Sequence, residues 1–169
     1  MIMGMSTATF TAVHVVISLV GMASGGLVLL GMLRSQSHPG WTAFFLTTTV
    51  LTSVTGFFFP SPHLLPSHMV GVVSLVVLTV AILALYVYQC AGAWRWLYVI
   101  SAGIALYLNV FVGVVQAFRK LPWLQSLAPT QSEWPFLITQ CLVLALFVAL
   151  MMIAAVRFHN EQHHNIQTL

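Results

Sequence analysis

The chain has 169 residues, of which 60% are apolar and 4% charged; five Lys/Arg stand against two Glu with no Asp, a formal net charge of +3. A soluble globule carries about 25% charged residues, so the composition excludes one and indicates an integral membrane protein. Five basic residues scattered along the chain also make no nucleic-acid footprint.

The placement of the charges predicts the threading. Arg34, Arg95, Arg119 with Lys120, Glu133 and Arg157 bound uncharged stretches, and a helix needs about 20 apolar residues to cross the hydrocarbon core. The stretch from 35 to 94 has room for two crossings and the others for one each. The expectation is a single all-α domain over residues 1–169, a polytopic transmembrane bundle of five spans near 8–33, 42–59, 69–88, 97–118 and 133–157. A barrel is excluded because its alternating strands of about ten residues are missing. The opening MIMGMSTATF lacks a basic n-region and the apolar segment behind it is long, so no cleaved leader is expected.

In the first span His14, Ser18, Gly21 and Gly25 follow at steps of four, three and four and share one helix face. Gly21 and Gly25 form the small-xxx-small pattern that lets helix backbones approach, so this face points to protein rather than lipid. His38-Pro39-Gly40 reads as a turn, with Gly40 supplying the positive dihedral of a type II turn. The second span carries the hydroxyls of TTTVLTS, placed in the half of the bilayer opposite His14. His63 and His68 then flank Pro66 in the connection to the third span.

In the fourth span Asn109, Gly113, Gln116 and Lys120 repeat the four, three, four spacing as a polar stripe. The connection RKLPWLQSLAPTQSEWP, with Trp123 and Trp134 at its ends and leucines between, reads as a strap over 119–132 at the headgroup level. Ser132 is the expected cap of the last span, with Pro135 in its first turn. Gln140 follows about two turns in, beside Cys141; Cys141 and Cys90 fall on opposite faces and are expected to be buried free thiols. In the polar tail 158–169, His159 and His163 stand four apart, and a solvated terminus is the expectation there.

Five crossings put Arg34, Arg95 and Arg157 on the side of the C-terminus, and Arg119 and Lys120 on the other. The Lys/Arg excess marks the cytoplasm, which predicts N-terminus outside and C-terminus inside. The same threading gathers His14, His63, His68, Asn109, Gln116 and Gln140 into the outer half.

Three readings fit that cluster. In the structural one the groups bond each other and pin the helices, at about 1 kcal/mol or less per bond. In the second, His14, Asn109, Gln116 and Gln140 receive a small polar or amphipathic ligand such as a quinone head or a lipid. In the third, His14 and His68 clamp a haem b, or His14, His63 and His68 hold a copper or zinc ion. No glycine-rich phosphate loop and no nucleophile beside a base occurs, and no intramembrane carboxylate offers a proton or cation relay. A non-enzymatic accessory subunit or ligand-binding bundle is therefore preferred, with lipid and other membrane subunits or a second copy as partners.

The stretches TSVTGFFFP at 52–60, LYLNVFVGVVQAF at 106–118 and LAPTQSEWPF at 127–136 resemble segments of small polytopic bacterial inner-membrane proteins of uncharacterised function. The likeness runs from the second span onward. It implies a bacterial inner-membrane location and no mechanism.

Overall fold

The structure is a computed structural model that describes residues 4–59 and 66–158. Among them the chain is helical throughout: α1 Thr7–Leu33, α2 Pro39–Gly56, α3 Pro66–Ile82 continued by a π-turn Leu83–Val87, α4 Trp94–Lys120, α5 Pro122–Leu127 and α6 Trp134–Arg157. Four segments are long and apolar enough to cross a membrane: Thr7–Leu33, His68–Val87, Trp94–Lys120 and Trp134–Arg157. α2 stands apart from them. Its 18 residues rise about 27 Å at ~1.5 Å each, slightly less than the ~30 Å hydrocarbon core, and its many hydroxyls lower its hydropathy.

The helix starts follow simple capping chemistry. Ser6 caps α1, its side chain accepting from the Thr9 amide at 3.1 Å. At α2 the sequence expectation needs correcting: Pro39 and Gly40 begin the helix itself, and Gly40 has no positive φ. Proline at the first helical position loses a donor that would have gone unpaired anyway and presets φ, so His-Pro-Gly starts a helix here rather than closing a type II turn. The N-cap position of α6 is held by Glu133 and not by Ser132, without a side-chain capping bond, and Pro135 lies in its first turn as expected.

The turn between α3 and α4 is wide. The π-turn bonds the Tyr88 amide to the Leu83 carbonyl at 3.0 Å and the Cys90 amide to the Ala84 carbonyl at 2.8 Å, and Gln89, Cys90 and Gly92 then take positive φ. Tyr88 stacks on Trp94 with centroids 3.6 Å apart and closes the turn. At the same end of the bundle the Arg95 guanidinium donates to the Phe158 carbonyl at 2.8 Å, tying the start of α4 to the end of α6.

α4 contacts each of α1, α2, α3 and α6, and its inward residues are small: Ser101, Ala102, Gly103 and Ala105 are buried. They meet Ala81 and Ala84 at the α3 end and Ala154 and Ala155 on α6, all buried. Small residues let backbones approach where hydrophobicity gives no drive between helices. Gly25 is one such close approach, since a Cβ there would lie 2.6 Å from Leu106 and 2.7 Å from the Phe45 ring. The outward faces carry large apolar side chains, among them Leu142, Met152 and Val156 on α6. Cys90 is buried, but Cys141 lies on this outward face, which corrects the expectation that both thiols are buried.

Candidate functional site

A cavity of about 640 Å³ opens where α1 begins, α2 ends, α3 begins and α4 ends. His14, His68, Asn109 and Gln116 all line it, together with Ser18, Gly113 and Lys120 from the two polar stripes. Val15, Leu19, Met22, Leu108, Phe111 and Val112 make the remaining wall apolar, so the chamber is amphipathic. Its size falls within the range of sites for small organic ligands, about 300–1,000 Å³.

His14 is held by α2. Its Nδ1 lies 2.7 Å from the Thr55 hydroxyl, and its ring meets the edge of Phe59 at 5.1 Å. The Thr55 hydroxyl in turn reaches the Leu51 carbonyl at 2.7 Å. A carbonyl cannot donate, so Thr55 spends its one proton on Leu51 and accepts from Nδ1–H of His14. That fixes the tautomer and leaves the His14 Nε2 lone pair as an acceptor.

Asn109 is buried where α4 crosses α1. Its Nδ2 donates to the Ser18 carbonyl at 3.4 Å. Gly21 makes the crossing possible, since a Cβ there would sit 3.3 Å from both Asn109 Nδ2 and the Thr48 hydroxyl. His68 lies face to face with Phe57, centroids 5.7 Å apart and planes 13° off parallel. Arg119 and Lys120 are exposed at the mouth, and the Lys120 charge acts on the His14 ring.

Gln140 does not line the cavity. It packs toward α4, with Nε2 donating to the Phe111 carbonyl at 3.3 Å and Oε1 buried without a hydrogen-bond partner among the described residues. His63, His159 and His163 lie outside the described residues. Among the described residues no three His, Cys, Asp or Glu side chains are grouped to hold a metal.

Sequence reasoning missed several wall residues. Thr49, Thr52, Ser53 and Ser74 line the chamber, although the α2 hydroxyls were expected in the opposite half from His14. The antiparallel run of α2 against α1, which brings Thr55 to His14, carries the C-terminal hydroxyls to the same end. Gln131 also reaches the wall: with φ of 61° it folds back and donates from Nε2 to the Val115 carbonyl at 2.9 Å. Glu133 sits close by in sequence but is spent on its own turn. It accepts from the Thr130 amide at 3.1 Å, the Thr130 hydroxyl at 2.9 Å and the Ser132 amide at 3.1 Å.

Compared with protein-family models, curated proteins and solved structures, the chain matches none. The reading of the site rests on its geometry. A deep wall of hydroxyls and amides, an imidazole acceptor, one apolar side and a cationic mouth can orient a molecule by its polar end and shelter the rest.

Proposed function

We propose that the protein is a non-enzymatic five-span bundle of a bacterial inner membrane that binds a small amphipathic ligand, a lipid or a quinone. The observation that carries this reading is the shared cavity of His14, Asn109 and Gln116 with its apolar wall. In this reading α2 is the fifth crossing, shielded by α1 and α3 on either side, and its shortfall of a few ångströms is met by modest local thinning of the bilayer. The end of the bundle bearing Arg34, Arg95 and Arg157 faces the cytoplasm by the basic-residue excess, so the N-terminus and the cavity face outward. The ligand's polar end would donate to His14 Nε2 and exchange hydrogen bonds with Asn109 and Gln116. Its apolar body would lie along Met22, Leu108 and Val112.

A second reading, a haem b or metal ion held between His14 and His68, is favoured by both imidazoles lining one chamber. It has less support, because the His68 ring is laid flat on Phe57.

One preparation separates the two. Protein purified from its native membrane in mild detergent is extracted with organic solvent for mass spectrometry, and its absorption spectrum is recorded beforehand. About one equivalent of an amphiphile, lost when Ser18→Phe fills the cavity, is the expected result. A Soret band abolished by His14→Ala would establish haem instead, and a colourless, metal-free preparation with no retained amphiphile would refute both.

A further inference from the structure

Resting on that reading, we infer that the ligand's head carries an anion besides the group that donates to His14 Nε2: a chain-bearing amphiphile whose phosphate or carboxylate sits between Arg119 and Lys120 at the cavity mouth. Both cations line the cavity, and neither forms a salt bridge with any described residue. The sequence has only two acidic residues. Glu133 is bound into its own turn by Thr130 and Ser132 and is not on the cavity wall, while Glu161 lies outside the described residues.

The chamber thus carries two positive charges and no carboxylate among its described lining residues. An apolar wall next to an uncompensated guanidinium and ammonium lowers the local dielectric and strengthens their attraction for an anion over that of a cation in open water. Arg119 offers a planar fork suited to two oxygens at once, and Lys120 adds a point charge on the next residue. A neutral quinone would leave both unpaired. A free inorganic anion would leave the apolar wall unfilled.

The test uses the full chain in nanodiscs of equal parts phosphatidylglycerol and digalactosyldiacylglycerol, a neutral lipid without phosphate, released and read by native mass spectrometry. The wild type is expected to keep phosphatidylglycerol over the galactolipid by about tenfold, the effect of one charge-assisted hydrogen bond. Arg119→Gln with Lys120→Gln should bring the ratio near one while the retained lipid count stays the same, which shows the cavity intact. Arg119→Lys with Lys120→Arg should restore the preference, and Arg34→Gln, at the opposite end, should leave it unchanged. Equal retention of the two lipids by the wild type would overturn the anionic assignment and leave the amphiphile reading standing; retention of neither would overturn both. Displacement of phosphatidylglycerol by excess inorganic phosphate would overturn the requirement for a chain, and a loss of preference in Arg34→Gln would show the effect to be general surface charge.

Discussion

The Nδ1 of His14 and the hydroxyl of Thr55 stand 2.7 Å apart across the α1–α2 interface, and this contact, which the antiparallel run of α2 against α1 brings about, fixes the tautomer of the imidazole. Thr55→Val should leave Nδ1–H without an acceptor and cost about 1 kcal/mol. In a double-mutant cycle with His14→Phe, followed by thermal unfolding in detergent, the coupling expected is about 0.5–1.5 kcal/mol. Additive single effects would show that the two side chains do not interact.

Two adjacent glycines make a sharp contrast. A Cβ at Gly25 would come 2.6 Å from Leu106 and 2.7 Å from the Phe45 ring, whereas one at Gly26 meets nothing within 4 Å. Gly25→Ala should therefore destabilise by about 1–3 kcal/mol through overpacking. Gly26→Ala should be neutral or stabilising by up to about 1 kcal/mol, because alanine lowers the entropy of the unfolded chain. Equal effects of the two would refute the α1–α2–α4 crossing described above.

Glu133 carries an acid-sensitive contribution. Desolvation acts to raise the pKa of its carboxyl, but the hydrogen bonds from the Thr130 amide and hydroxyl and from the Ser132 amide outweigh it and hold the pKa below the ordinary glutamate value of 4.5. A carboxyl depressed in the folded state stabilises fully above that ordinary value and loses the contribution as pH falls through the lower, folded one. Protection of the Thr130 and Ser132 amides from hydrogen exchange should decline over that acid window in the wild type. It should be weak at every pH in Glu133→Gln.

The Cys90 thiol should react slowly. Burial pushes Cys90 up to about 11, against a smaller opposite pull from Arg95, while Cys141 lies on the outward face of α6. The thiolate is the reactive form, so alkylation of Cys90 should stay slow through neutral pH and accelerate only as pH nears that value. A membrane-permeant maleimide at neutral pH should leave Cys90 unmodified in the folded protein and modify it after unfolding, as read by peptide mass mapping; prompt labelling of Cys90 in the folded protein would contradict its burial.

The helix-face arithmetic of α1 and α4 was legible because steps of three and four residues are fixed by the helix itself, and His14, Ser18, Asn109, Gly113, Gln116 and Lys120 all reach one chamber. Gln140 shows where that arithmetic ends. Its depth in α6 could be counted, but which neighbour it faced depended on packing, and it met the Phe111 carbonyl instead of the cavity. The α2 hydroxyls were hidden for a different reason. Thr49, Thr52 and Ser53 each bond the carbonyl four residues back in their own helix, so in sequence they look self-satisfied, with nothing to reveal that they also face a cavity. The π-turn at Leu83–Val87 and the positive φ of Gln131 carry no glycine or proline signal and could not be read at all.

Uptake of an amphiphile into the chamber beside His14 and Asn109 is read by photolabelling. A long-chain alcohol carrying a diazirine midway along its chain is irradiated with the protein in nanodiscs, and the labelled peptides are mapped. Labels should fall on Met22, Leu108 and Val112, and should drop several-fold in Ser18→Phe while those on outward Leu142 and Val156 remain. Labels confined to the outward face of α6, with the chamber walls clean, would contradict the account.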